Sequence, residues 1–309
     1  MRELRDRVRA EVGKVLVGQD EAVELMLAAL VCRGHVLLEG VPGVAKTLAA
    51  NAVARALGLD YRRVQFTPDM LPSDLTGTMT LKGGELVFRA GPVFTQLLLA
   101  DEINRTPPKT QAALLEAMQE AQVTIEGEPH PLHDPFLVVA TQNPIEYEGT
   151  YPLPEAQLDR FLFKVDVGYP SEEDEHAVLR LRRRGVVPAT LEDVAGVVDA
   201  GALADARGTL DATTVSDEVA AYVVALVRAT RDLPSVTLGA SPRAAVHLVT
   251  AARAAARLDG REFVTPDDVV RMAPAVLRHR LVLRPEAELE RYRPDDAVQA
   301  ALAAVLVPR

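Results

Sequence analysis

Cysteine, tryptophan and long apolar runs are scarce or absent in this chain of 309 residues, and each shortage excludes a class of protein. The single cysteine, Cys32, allows neither an internal disulfide nor a cysteine-based zinc cluster. No apolar run approaches the roughly 20 residues that a membrane-spanning helix needs. The first residues are charged and form no apolar signal segment. We therefore expect a soluble cytoplasmic protein.

Positive charge and aromatic side chains are also in short supply. The sequence has 34 Lys and Arg against 44 Asp and Glu, a net charge of −10, so a surface that coats nucleic acid is not expected. Aromatic residues make up 4% and offer no stacking platform for single strands. Apolar residues, in contrast, reach 48%, enough for a large core in one domain or two.

A glycine-bearing turn lies between the apolar segment at 36–39 and an alanine-rich helical pattern. Gly40 and Gly43 permit a tight turn whose N–H groups face one anion, at the positive end of the helix dipole. Lys46 adds a positive charge, and Thr47 adds a hydroxyl suited to Mg²⁺. The general pattern has glycine where this chain has Ala45. We predict a Walker A cradle for nucleotide phosphates, formed by Gly40, Val41, Pro42, Gly43, Val44, Ala45, Lys46, Thr47 and Leu48.

Two acidic residues end the apolar run at 96–100, which is typical of a buried parallel strand. Ligands of open α/β sheets bind at the carboxyl ends of strands. Asp101 can hold Mg²⁺ there, and Glu102 can polarise an attacking water. On its own the pair also fits an ordinary polar loop. Its place about fifty residues after a phosphate loop favours the catalytic interpretation.

A third strand pattern, at 136–141, ends in polar amides. Asn143 follows it and can orient the attacking water or sense the γ-phosphate of a bound nucleotide. The alternative is an asparagine that only forms the turn before Pro144, which is common.

The chain divides into two parts by pattern. Five strand patterns separated mostly by helices predict an α/β fold with a parallel sheet covered on both faces. After about Pro170 the strand patterns give way to helical ones. We therefore predict a nucleotide-binding α/β domain over 1–169 and a smaller helical domain over 170–309.

In their order, these motifs resemble the AAA+ ATPases and, within them, the MoxR family. The resemblance covers essentially the whole chain and accounts for Ala45, because the MoxR loop is similar to Gly-Val-Pro-Gly-x-Ala-Lys-Thr. It implies an AAA+ core with a five-stranded parallel sheet, followed by an all-helical lid. It is carried by Val17-Gly-Gln19, Gly-Val-Pro-Gly-Val-Ala-Lys-Thr at 40–47, Ala-Asp-Glu-Ile-Asn-Arg-Thr-Pro-Pro-Lys-Thr-Gln at 100–111, Leu-Leu-Glu-Ala-Met-Gln-Glu at 114–120, Ala-Thr-Gln-Asn-Pro at 140–144, Pro-Glu-Ala-Gln-Leu-Asp-Arg-Phe at 154–161, Gly-Ala-Ser-Pro-Arg at 239–243 and Val-Thr-Pro-Asp-Asp-Val at 264–269.

The resemblance implies roles for four further residues. Val17 and Gly18 match the segment that contacts adenine. Arg160 matches an arginine finger that reaches the γ-phosphate of the neighbouring subunit. Arg243 matches the sensor-2 arginine, which would touch the nucleotide of its own subunit. Without the family, Arg160 would be a surface arginine paired with Asp159, and Arg243 a solvated residue at a helix start.

The resemblance also implies a function. It is Mg²⁺-dependent ATP hydrolysis by a ring, hexameric by resemblance, that remodels or matures partner proteins such as those with a von Willebrand factor A domain. Two predicted hairpin inserts, at 79–88 and 123–135, would face the ring's pore or be surface excursions without consequence. Two rival functions stay open: a nucleic-acid motor, because helicase rings share the clade, and a nucleotide-gated scaffold with little turnover.

Overall fold

The computed structural model describes residues 1–145, 149–183, 191–198 and 200–308. Its strands, in chain order, are β1 (Val36–Gly40), β2 (Tyr61–Gln65), β3 (Gly77–Lys82), β4 (Glu85–Ala90), β5 (Leu97–Asp101), β6 (Gln122–Ile125), β7 (Glu128–Pro131), β8 (Leu137–Gln142), β9 (Phe163–Val167), β10 (Val236–Leu238) and β11 (Val282–Leu283). Its helices are α1 (Arg2–Val12), α2 (Asp20–Val31), α3 (Lys46–Ala56), α4 (Pro72–Thr76), α5 (Pro108–Glu120), α6 (Glu155–Leu158), α7 (Glu172–Arg183), α8 (Ala200–Asp211), α9 (Asp217–Asp232), α10 (Pro242–Leu258), α11 (Pro266–Leu277), α12 (Pro285–Leu289) and α13 (Pro294–Ala304).

Five of these strands form one parallel sheet in the order β2-β5-β8-β1-β9. β8 therefore lies between β5 and β1, with Ala140 beside Ala100 and Gln142 beside Glu39. Because all five strands run the same way, the carboxyl ends of β1, β5 and β8 share one edge of the sheet. The predicted five-stranded parallel sheet is confirmed.

The central strands are apolar along their whole length because both faces of the sheet are covered. Alternate residues point to opposite faces. Leu98 and Val138 belong to a core with the buried side of α5, whereas Leu99 and Val139 belong to a core with α2 and α3. This second core continues through the buried faces of α9, α10, α11 and α13. The helical part therefore packs directly on one side of the α/β part.

Two antiparallel hairpins project from this framework, as the sequence predicts. Gly83 and Gly84 form the turn between β3 and β4, both with positive φ, and Gly127 lies in the turn between β6 and β7. The rings of Phe88 and His130 stack with their centroids 4.2 Å apart. The two inserts therefore support each other rather than extending separately.

The structure also contains elements that the sequence patterns did not predict. Helix α4 forms at 72–76 because the Asp74 carboxylate accepts the N–H of Leu71 and Leu75 is buried. Helix α8 lies before α9, and the helical part includes the antiparallel ribbon β10–β11. Within the described residues, no helix is both long enough and apolar enough to cross a membrane.

Candidate nucleotide site

The loop between β1 and α3 has the backbone that an anion cradle needs. Gly43 has φ +87° and Ala45 has φ +65°, so the chain turns twice through the left-handed region before α3 begins. Gly40 is required for a different reason, because a Cβ there would collide with the carbonyl oxygen of Val167 at the end of β9. The remaining predicted members of the loop, Val41, Pro42, Val44 and Leu48, flank these three positions.

Lys46 is the first residue of α3, and its ammonium group lies among backbone carbonyls of the same edge. It donates to the carbonyl oxygen of Gly40 and lies 3.4 Å from that of Val41 and 3.5 Å from that of Gln142. The positive charge is thus held between the ends of β1 and β8. A bound phosphate would exchange these neutral acceptors for charged ones.

The segment matched to adenine lies beside the phosphate loop. Gly18 has φ +75°, and Val17 is half-buried. The side-chain amide of the next residue, Gln19, donates to the carbonyl oxygen of Val44 at 3.4 Å. The structure therefore brings Val17 and Gly18 to the nucleotide loop although about 25 residues separate them in sequence.

Asp101 is the buried acid of the site. The Thr47 hydroxyl lies 3.5 Å from its Oδ2, and the Thr141 hydroxyl donates to its Oδ1 at 2.6 Å. Arg63, on β2, pairs with Oδ2 at 2.7 Å. Hydroxyl and carboxylate oxygens are the ligands that Mg²⁺ prefers, so the donor set of Thr47 and Asp101 fits that ion.

Glu102 directly follows β5 with a left-handed backbone, φ +58° and ψ +52°. Its N–H donates to the hydroxyl of Thr141 at 2.9 Å. Its carboxylate accepts from the side-chain amide of Gln65 at 2.6 Å and pairs with Arg105 at 2.8 Å. Two contacts therefore hold the carboxylate, and a third holds the backbone of Glu102 beside Asp101.

Asn143 is buried just beyond β8, next to the carbonyl group of Gln142 that faces Lys46. Its Oδ1 accepts the N–H of Ile145 at 3.2 Å, which is the contact predicted by the turn interpretation. Its side chain nevertheless belongs to the edge that carries the phosphate loop and the two acids. The structure thus brings together the predicted site residues from Gly40 to Asn143.

Arg160 and Arg243 lie elsewhere. Both line a cavity of about 230 Å³ together with Arg33, His35 and residues of α10. His35 precedes β1, whereas Lys46 follows it, so the cavity lies at the opposite, amino-terminal edge of the sheet. The five residues of β1 span about 16 Å. Arg243 therefore does not reach the phosphate loop of its own chain in this structure, contrary to the expectation from the family.

Asp159 pairs with lid residues rather than with its neighbour Arg160. Its Oδ1 accepts from Arg280 at 2.6 Å, and its Oδ2 lies 3.9 Å from the guanidinium of Arg243. Among the described residues, Arg160 has no ion-pair partner. The pairing of Arg160 with Asp159, which the alternative interpretation requires, is therefore not found.

Burial suppresses the charge of the titratable groups around this cavity. It lowers the pKa of His35 to about 4, and burial together with the nearby Arg280 lowers the pKa of His247 to about 4. Burial raises the pKa of the Cys32 thiol to about 12, so that the thiol stays protonated at neutral pH. The charge presented by the cavity comes from its arginines.

Sequence reasoning missed the three residues that hold the two acids. Arg63 and Gln65 lie on β2, where two consecutive arginines in a strand pattern were the available signal. Thr141 bridges Asp101 and Glu102, and its signal was a single hydroxyl at the end of an otherwise apolar strand. None of these signals identifies a partner without the strand order.

Comparisons with known proteins identify the family of the chain. Residues 35–163 match the model of the ATPase family associated with various cellular activities (AAA), and residues 228–302 match the AAA lid domain. The chain is 49% identical to the protein YeaC of Bacillus subtilis over 96% of this chain and 92% of that one. It is 47% identical to chaperone MoxR1 of Mycobacterium tuberculosis over 98% of this chain and 82% of that one.

A solved structure gives the same result for the fold. A crystal structure of a protein from Cytophaga hutchinsonii superposes with a TM-score of 0.91 at 42% identity, covering 100% of this chain and 96% of the other. The phosphate loop, the acidic pair and the strand order thus coincide with near full-length similarity to proteins of known family. The chain belongs to the MoxR family of AAA+ ATPases, which hydrolyse ATP.

Proposed function

We propose that the protein hydrolyses ATP in a Mg²⁺-dependent reaction at a site that two neighbouring subunits of a ring complete. The observation that carries the proposal is the arrangement beside the phosphate loop, where Thr141 joins Asp101 to Glu102 and Thr47 faces Asp101. This arrangement supports the roles that we propose for Thr47 and Asp101 in metal binding and for Glu102 as the base, at the edge where ligands of parallel sheets bind.

The phosphates are bound by the loop and by Lys46. The N–H groups at the start of α3 point toward the anion, and the dipole of that helix favours negative charge there. Lys46 leaves its backbone acceptors for the phosphate oxygens. Val17 and Gly18 contact the adenine ring at the other end of the nucleotide.

Mg²⁺ would be held by the hydroxyl of Thr47 and the carboxylate of Asp101. When bound, it supplies positive charge against the phosphate oxygens of ATP. Arg63 pairs with Oδ2 of Asp101 at 2.7 Å, so it holds the carboxylate in place before the metal arrives.

Water is activated and oriented by this chain's own residues. Glu102 accepts the proton of the attacking water; Gln65 holds its carboxylate, and Thr141 holds its backbone N–H. Asn143 donates its side-chain amide to the same water. Its backbone position beyond β8 supports this role, because β8 lies between the strands that carry the loop and the acids.

Arg160 and Arg243 serve the site of a neighbouring subunit. Their shared cavity at the amino-terminal edge supports this assignment, since neither side chain faces its own loop. An arginine supplied by a neighbour is worth about 10³–10⁵ in rate in related nucleotide hydrolases. A single subunit is therefore expected to hydrolyse ATP slowly.

The biological role we propose is that of a chaperone which remodels or matures partner proteins, including those with a von Willebrand factor A domain. Family membership and the name of the mycobacterial relative support this role. We further propose that the ring is a hexamer and that it acts in the cytoplasm, where ATP is supplied. We also propose that the boundary between the two domains lies between residues 169 and 170. The hairpins β3–β4 and β6–β7 would contact the partner.

The test of the chemistry is Glu102→Gln, with Glu116→Gln on the exposed side of α5 as the matched control. The first variant should bind ATP with unchanged affinity and lose hydrolysis, because the amide cannot accept the proton. The control should keep both properties. Unchanged hydrolysis by Glu102→Gln contradicts the mechanism.

The same variant tests the partner. Incubated with ATP, Glu102→Gln should retain a bound partner that wild-type protein releases, and that partner should be a protein. Stimulation of wild-type hydrolysis by DNA, weakening as salt is raised, would instead support the nucleic-acid motor.

A further inference from the structure

The short segment that carries Arg160 is held on both sides by one turn of the helical part. This 3₁₀ turn, Arg278–Arg280, follows α11. Arg280 donates to the Asp159 carboxylate at 2.6 Å and to the carbonyl oxygen of Phe161 at 2.6 Å. The imidazole of His279 lies 3.1 Å from the same carbonyl oxygen. Arg160 thus lies between two residues that the lid binds.

Arg280 is a buried cation, and its main partners are the Asp159 carboxylate and the backbone of the segment at 159–161. Its side chain is 2% exposed, and Asp159 is its ion-pair partner. Further donated bonds go to the backbone carbonyl oxygen of Val276 and to Nδ1 of His247 at 2.5 Å. A buried guanidinium without its acid is strongly unfavourable, so the segment and the turn must move together.

Helix α10 reaches the same acid. The Ser241 hydroxyl lies 3.5 Å from Oδ2 of Asp159, and the guanidinium of Arg243 lies 3.9 Å from it. Asp159 therefore contacts both the start of α10 and the turn after α11, and it belongs to the segment at 159–161 that carries Arg160. By contrast, Arg278 in the same turn pairs with Asp166 and Asp295 and makes no ion pair with the segment at 159–161.

We propose that the Asp159–Arg280 ion pair positions Arg160, so that the helical part of one subunit sets where its arginine enters the neighbour's ATP site. The proposal rests on the action of Arg160 across the subunit interface, as proposed above. Arg280 touches no substrate and is a positioning residue. A displacement of about 1 Å in a positioned group can lower a rate by about 10²-fold.

The experiment uses two inactive subunits that complete each other. Glu102→Gln subunits cannot hydrolyse ATP in their own site but supply Arg160 to the site of the neighbouring subunit. Arg160→Ala subunits keep Glu102 in their own site but supply no arginine to the neighbour. Mixed rings should regain hydrolysis at interfaces where Arg160 of a Glu102→Gln subunit enters the ATP site of an Arg160→Ala subunit. If the mixture stays inactive, the proposed cross-subunit site fails, and the positioning role of Arg280 is overturned with it.

Arg280→Gln is then introduced into one partner at a time. In the Glu102→Gln donor it should lower the recovered rate by about 10²-fold, with the KM for ATP unchanged. In the Arg160→Ala acceptor, whose finger is already absent, the same substitution should leave the recovered rate unchanged. This second arm also shows that the substituted chain folds and binds ATP.

Two further variants separate positioning from general damage. Asp159→Asn, which keeps the shape of the side chain but removes its charge, should have the same donor-only effect. Arg278→Gln, in the same turn, should have little effect in either partner. Equal loss of the recovered rate from both partners, or no loss from the donor, overturns the proposal.

Discussion

Lowering the pH should destabilise the fold through His35, which ties the amino-terminal ends of β1 and β8 to α5. Its Nδ1 accepts the N–H of Val138 at 3.0 Å, and its Nε2 donates to the carbonyl oxygen of Met118 at 3.1 Å. Both contacts require the neutral ring with its proton on Nε2. A proton on Nδ1 would face the Val138 donor inside the core.

The size of the effect follows from the pKa of the buried ring. Burial lowers the pKa of His35 from 6.5 to about 4, so the unfolded chain binds the proton more readily than the folded one. Stability from this group is complete above about pH 6.5 and is lost as the pH falls toward about 4. The full loss is about 3 kcal/mol, of which about 2 kcal/mol is expected between about pH 7.5 and about pH 5.

The assay is urea unfolding of the wild-type protein and of His35→Gln across this pH range. The variant should be less stable at neutral pH, because glutamine cannot make both contacts with the same geometry. Between about pH 7.5 and about pH 5, the free energy of unfolding of the wild-type protein should fall by about 2 kcal/mol more than that of the variant. Parallel pH profiles of the two proteins would refute the reasoning.

Three substitutions test the site. Gly40→Ala should weaken ATP binding at least about 10-fold in a nucleotide titration, since the added methyl collides with Val167; unchanged affinity would contradict the packing argument. Ala45→Gly should change the free energy of unfolding by less than about 1 kcal/mol and keep hydrolysis, because glycine accepts the same φ. Thr141→Val should lower kcat about 10-fold with little change in KM, since Asp101 and Glu102 lose a shared partner; an unaltered kcat would exclude that role.

The sequence predicted the parts of the fold that follow from the length and composition of its apolar runs. The buried strands β1, β5 and β8 are runs of 5, 5 and 6 residues that end in polar residues or glycine, and that length indicates strands rather than helices. Helix α4 was missed because proline, aspartate and glycine dominate its surroundings, while the burial of Leu75 decides the local structure. Tertiary contacts of this kind leave no periodic signal in five residues.

The site was predictable where its residues are adjacent in sequence or end neighbouring strands. The edge on which a side chain acts was not predictable, and Arg243 shows why. The sequence places Arg243 at the start of a helix, but the packing of that helix, α10, decides which edge of the sheet Arg243 lies beside. Arg280 was missed because cations at a helix end are ordinarily solvated, whereas here Asp159 binds one inside the core.

The most direct test of the central claim is ATP hydrolysis per subunit, measured over a dilution series in which the assembled fraction is determined by sedimentation. If Arg160 completes the neighbour's site, the rate per subunit should follow the assembled fraction and fall by at least about 10³-fold in the monomer. A monomer that hydrolyses ATP as fast as the assembled protein would contradict the account.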